Sequence, residues 1–267
     1  MKNLKNDPKG NYLCPAFLRL FDNLWKGTNP IYHPNEIHEI FKKNMKIDYN
    51  SSNSGKILNG IISVLHQELI SDKNKEFLEK PGGNFNENEA KDQFETYFKL
   101  YKSKFSVQFF STIKKIIKIP GEPNFYLFDS TPIIDLYLDN GKGNNLSLEK
   151  NFKELFQNYN EHIDQLLLTI LPYQLIININ RGNNQKFFSY PRILECKYLL
   201  ERDALEIYDL FGAIMENNNN HYAYLKNFIN GKWYLYKDEI IELVKDENKI
   251  INERKALLII YQLIKKE

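Results

Sequence analysis

Apolar residues change their spacing once along this 267-residue chain, and that change constrains the fold more than any other feature. Up to about residue 104 they recur at helical intervals. In "CPAFLRLFDNLW", Phe17, Leu20, Phe21, Leu24 and Trp25 follow one helix face, and Pro15 suits a first turn. "HPNEIHEIFKKN" predicts a second short helix with Asn35 as its N-cap. Leu58, Ile61, Ile62, Leu65 and Leu69 form the stripe of a third, and Ala90 to Lys102 reads as a fourth. The polar, Gly-rich stretch "EKPGGNFNENE", Glu79 to Glu89, is the expected loop or lobe boundary.

Beyond that point come short runs rich in Ile, Tyr and Phe: "NFYLFDSTPIIDLYLDN", "YQLIININRG", "FFSYPRIL", "YDLFGAIM", "HYAYLKNF", "KWYLYKDEII" and "ALLIIYQLI". Asn, Gly and Pro punctuate them, as in antiparallel strands joined by hairpins. A helix over roughly Leu148 to Asn158 interrupts the series, and the Asn217–Asn220 run reads as a loop tip. "IKKIIKI" alternates as an edge strand would, with lysines that block further pairing. Helices first and strands later predict an α+β fold with segregated layers. One domain over 1–267 is expected, with a helical lobe to about 104 and an antiparallel β-rich lobe from about 105.

Composition removes several function classes. A net charge of +2 is small beside 36 basic and 34 acidic residues, so nothing draws the chain to nucleic acid or an anionic membrane. No apolar run approaches the ~20 residues that span a bilayer. The start, "MKNLKNDPKGNYLCP", lacks the apolar core of a signal peptide. Two cysteines, Cys14 and Cys196, do not make a disulfide framework, which favours the reducing cytosol or nucleus. The sequence holds no Cys-x-x-Cys pair, no metal-spaced His/Cys/Asp cluster and no Gly-rich phosphate loop, so neither metal nor cofactor is expected. Oligomeric state is not legible.

Several segments, in one order, resemble the ubiquitin-specific protease family of cysteine deubiquitinases. "YDLFGAIMENNNNHYAYLKNFINGKWYLYKDEIIELV" resembles its histidine box, and "KALLIIYQ" its closing strand. "LPYQLIININRGNN" with "FFSYPRIL" resembles the strand pair before that box. "SVLHQELI" resembles the end of the helix that opens with Gln-Gln-Asp-Ala-x-Glu-Phe, and "AFLRLFDNLWKG...YHPNEIHEIF" the helix pair before it. The likeness covers most of Pro15 to Gln262. It implies a papain-like fold, a partial helical lobe beside a β-rich lobe, and ubiquitin or a ubiquitinated protein as partner.

In that family a thiolate attacks the C-terminal carbonyl of ubiquitin, a histidine carries the proton, and an Asp or Asn orients the imidazole. The resemblance sets His221 on the base position. The first orienter slot holds Lys237, whose ammonium cannot accept an imidazole N–H; Asp238 fills the second acidic slot. Cys14 is the only candidate nucleophile with a Gly-Asn before it and an apolar helix after it, yet that helix already matches a later element of the family. Cys196, in a strand-like segment, reads as structural. Ser51, Ser52, Asn53, Ser54, Gly55, Lys56 and Ile57 fall on the Gln-Gln-Asp-Ala-x-Glu-Phe slots, with Lys56 replacing an acid. His66 reads as a packing or capping residue. Three functions follow, in order: a deubiquitinase-family domain impaired because its nucleophile segment is missing; an active isopeptidase using Cys14, His221 and Asp238; and a non-enzymatic interaction module.

Overall fold

Helices lead and strands follow, as the spacing predicts. A computed structural model describes residues 12–26, 35–45, 54–70, 79–138, 145–149, 152, 165–181, 187–196, 205–217, 220–251 and 255–266. The helices are α1 (Leu13–Lys26), α2 (Asn35–Met45), α3 (Ser54–Leu69), α4 (Glu87–Tyr101), α5 (Lys104–Phe109) and α6 (Asn248–Ile251). Leu13 and Ala16 of α1 meet Ile37 and Ile40 of α2 and Leu65 of α3 in one apolar cluster. Phe21 of the predicted stripe stays largely exposed, stacked on Phe17. The Glu68 carboxylate of α3 accepts from the backbone N–H groups of Leu13 and Cys14, both at 2.7 Å. An acid thus satisfies donors that a helix N-terminus leaves open.

α4 starts at Glu87, three residues before the apolar stripe suggests, because Asn86 caps it by accepting from Asn88 and Glu89 N–H groups. Ala90 and Phe94 then pack on Phe128. α5 was not anticipated. Ser103 and Ser106 form a capping box that starts it. Of the helix expected over Leu148 to Asn158, Leu148, Glu149 and Phe152 are helical and the remainder lies outside the described residues.

β1 (Ser111–Ile117), β2 (Phe125–Thr131) and β5 (Gln165–Ile170) form a three-stranded sheet in the order β2-β1-β5. "IKKIIKI" therefore supplies a central strand, a correction to the expected edge. Two acids make this possible. Lys114, 3% exposed, donates to Glu87 of α4 at 2.6 Å, and Lys115 to Asp129 of β2 at 3.1 Å. β5, with its apolar "LLL", was not among the expected strands.

The larger, eight-stranded sheet runs β12-β11-β10-β9-β13-β6-β3, with β8 also on β9. Its strands are β3 (Ile134–Tyr137), β6 (Gln174–Asn180), β8 (Ile193–Glu195), β9 (Glu206–Asn217), β10 (Asn220–Lys226), β11 (Trp233–Lys237), β12 (Ile240–Leu243) and β13 (Ala256–Lys266). Pairing is mostly antiparallel, but β3 runs parallel to β6, and β4 (Asn145–Ser147) parallel to β7 (Phe187–Ser189). One face carries the main core, including Leu175, Ile177, Ala213, Met215, Ile259 and Tyr261. Three buried tyrosines stitch that core to surrounding loops: Tyr190, Tyr208 and Tyr261 donate to the carbonyls of Ile250, Pro172 and Pro191. The opposite face receives α3, whose Ile62 packs with Ile176 and Leu258.

Candidate active site

His221, the second residue of β10, lies opposite Glu216 of β9, and the same register sets Ala223 opposite Ile214 and Leu225 opposite Gly212. A Cβ added at Gly212 would meet the Leu225 side chain at 2.8 Å, so Leu225 lies over that glycine. Side chains alternate along a strand. His221, Ala223 and Leu225 therefore share a face with Gly212, Ile214 and Glu216. Ile214 packs with Ile62 of α3, so this is the helix-covered face. His221 itself is exposed and makes no side-chain hydrogen bond or ion pair among the described residues.

The N-terminus of α3 comes down on the same face. Gly55 abuts Asn178 so closely that a Cβ would lie 2.3 Å from its carboxamide. Asn178 and Asn180 both donate to Asp135, at 2.6 and 3.1 Å, in a polar cluster on β3 and β6. The neighbouring Ser54 hydroxyl is buried without a hydrogen-bond partner. Register carries a row from Asn178 through Leu258 and Ile214 to Ala223. Three strand spacings, roughly 14 Å, separate the α3 terminus from the histidine strand. Sequence reading missed Glu216, Asp135, Asn178 and Asn180, because only pairing register brings them to this face. Ser51, Ser52 and Asn53 lie outside the described residues; Lys56 is exposed on α3.

The orienter residues separate by the same alternation. Ala223 pairs with Tyr236, so continuing that register puts Asp238 level with His221 and puts Lys237 level with Tyr222, on the other face. Lys237 thus falls away from the imidazole. Asp238 is exposed and begins a two-residue turn with φ +51, after which Ile240 pairs back to Lys237. Its carboxylate makes no contact with His221 within hydrogen-bond reach.

Cys14 stands in the first turn of α1, against α3. Its Sγ faces the Leu65 carbonyl at 3.9 Å, and its N–H is held by Glu68. Leu65 is ten residues along α3 from Gly55, about 15 Å at helical rise. Burial, with the Glu68 carboxylate beside it, pushes the Cys14 thiol up to about 12. A nucleophilic cysteine needs the reverse. Cys196 is buried, and burial with Glu206 nearby raises its thiol as well.

The family model described as ubiquitin carboxyl-terminal hydrolase matches residues 1–261. The chain belongs to that family. Its fold is that of the ubiquitin-specific proteases, a papain-like α+β domain. The Ubp8/Sgf11/Sus1/Sgf73 DUB module bound to ubiquitin aldehyde superposes with a TM-score of 0.67 at 16% identity, over 100% of this chain and 62% of that one. The Ubp8-Sgf11-Sgf73-Sus1 SAGA module gives 0.65 at 17%, over 96% and 58%. The yeast SAGA module with a substituted Sgf73 gives 0.63 at 17%, over 97% and 59%. This member of the family thus spans about 60% of the length of the solved chains it matches. No curated protein sequence matches it.

Within the family fold, β9, β10 and β11 carry the segment that resembles the histidine box, and α3 carries the one that resembles the Gln-Gln-Asp-Ala helix. The sheet face beneath α3 is where these two segments approach. Among the described residues it gathers an imidazole, several carboxylates and two carboxamides, but no thiol and no group of three metal ligands.

Proposed function

We propose that this chain is a deubiquitinase-family domain that engages ubiquitin or a ubiquitinated protein without cleaving it through either of its own cysteines. The observation that carries the reading is Cys14. Its thiol is turned into the α1–α3 seam, and burial with Glu68 keeps it protonated at neutral pH. His221, with Asp238 level with it on the strand register, supplies the base side of a triad on a face that lacks the sulfur. The domain works in the cytosol or nucleus, where free thiols persist. The family fold and the ubiquitin-bound relatives support ubiquitin as the ligand class.

Titration of ¹⁵N-labelled ubiquitin with the chain tests this. Saturable shifts on ubiquitin, kept in a Cys14→Ala variant, are expected. Absence of binding up to millimolar chain would leave only an interaction module of another kind.

A further inference from the structure

The eight-stranded sheet ends at β12, which pairs with β11 on one side and, among the described residues, with no strand on the other. The phase of its ladder fixes what that open side offers. Val244, next after β12, donates its N–H to the Trp233 carbonyl at 2.9 Å. Backbone groups of successive strand residues point to opposite sides, so Glu242 also faces β11. The N–H and C=O groups of Ile241 and Leu243 therefore point outward, unpaired.

Natural sheets blunt such an edge with lysine, proline, a bulge or a covering element. Among the described residues β12 has none of these. Its sequence is Ile-Ile-Glu-Leu, its register against β11 is unbroken, and all four residues are exposed. Ile241 is 65% and Leu243 47% exposed, and they sit beside Tyr236 and Tyr234 on one face of the sheet. Glu242 stands on the other face, beside Leu235 and between Ile240 and Val244. It is exposed and has no hydrogen-bond or ion-pair partner among the described residues.

An antiparallel strand laid on this edge sets two of its residues opposite Ile241 and Leu243, and the residue between them opposite Glu242. Directly opposed side chains lie about 5 Å apart at Cβ, close enough for opposite charges to attract and like charges to repel. The edge thus selects an apolar residue, a cation and an apolar residue in sequence. A second copy of this chain does not supply that pattern. Two-fold pairing of identical strands keeps each residue on its own face. Glu242 would meet Ile240, Glu242 or Val244 of the other copy, while Lys245, an odd number of positions away, falls on the opposite face.

We propose that the open edge of β12 takes up an extended segment of another protein, patterned apolar, Lys or Arg, apolar, as a further antiparallel strand whose cation lies opposite Glu242. Main-chain bonds at Ile241 and Leu243 hold the segment; Glu242 and the tyrosine-flanked face select it. The edge lies two strands from that of His221, and the inference does not rest on ubiquitin engagement.

The probe is acetyl-Thr-Val-Lys-Val-Thr-amide, titrated into the full ¹⁵N-labelled chain. In the free chain the amides of Ile241 and Leu243 should exchange with solvent faster than those of Glu242 and Val244. The peptide should shift the first two saturably and slow their exchange about tenfold near saturation. The same peptide with Glu in place of Lys should bind about fivefold more weakly. One N-methylated at both valines, which has lost the donors to the Ile241 and Leu243 carbonyls, should not bind. Glu242→Lys, at an exposed position, should reverse the preference between the Lys and Glu peptides. No saturable shift with millimolar peptide would overturn the proposal, as would equal affinity for the Lys and Glu peptides or undiminished binding of the N-methylated one. So would a dimer that Ile241→Pro dissolves, since the edge would then belong to a second copy. The readings on the unsubstituted chain decide the matter even if a variant does not fold.

Discussion

His66 belongs to α3 and Cys14 to α1 where it packs on α3, and burial holds each in its uncharged form. The groups around His66 are the Tyr101 ring, Ser103, Tyr97 and the Lys80–Asp129 pair, with Tyr97 itself raised to about 12 by burial. Folded, His66 takes a proton only near 4; its ordinary value is 6.5. Between those values the unfolded chain binds more protons, so stability rises with pH through the window and levels off above it. Urea denaturation across that window should show His66→Phe losing a slope of up to about 1.4 kcal/mol per pH unit relative to the unsubstituted chain. Parallel curves would contradict the buried neutral ring. Cys14 gives a second test at this scale. Its alkylation by iodoacetamide at mildly alkaline pH should run at least about a hundredfold slower than that of free cysteine, because the thiolate is the reacting form. A rate near that of free cysteine would mean that the seam is open.

At the scale of elements, two joints position the helices. Gly55 lets α3 touch Asn178, and Gly55→Ala should cost roughly 1–3 kcal/mol in denaturant midpoints through overpacking. Glu87 neutralises Lys114 between α4 and β1, so Glu87→Gln should cost about 1–2 kcal/mol, with the loss reduced when Lys114→Met accompanies it. These joints also mark what could be read in advance. The stripes Leu58 to Leu69 and Phe17 to Leu20 were legible because a helix repeats its face locally. The place of β1 was not. Its alternation specifies a strand, but the acids that let Lys114 and Lys115 enter a sheet centre stand 27 and 14 residues away. The parallel β3–β6 pair was hidden for the same reason, as its partners are far apart in sequence. In the candidate site His221 and Asp238 could be named only through the resemblance to the family's histidine box. Lys237's removal from their face, and the arrival of Glu216 on it, depend on register that no local pattern contains.

Across the whole molecule, the eight-stranded sheet separates a large apolar core from a face roofed by α3, and His221 stands at the end of that roofed face. The family fold brings the imidazole strand to its place, while the one half-buried cysteine is spent in packing α1 against α3. Binding and cleavage should therefore come apart in this chain. Hydrolysis of a ubiquitin C-terminal fluorogenic amide by the purified chain measures this most directly, compared with a variant carrying Cys14→Ala and His221→Ala together. The expected result is a rate indistinguishable from that double variant at every enzyme concentration. Turnover that disappears in Cys14→Ala and in His221→Ala separately would contradict it, because the thiol packed against Leu65 would then have to serve the imidazole.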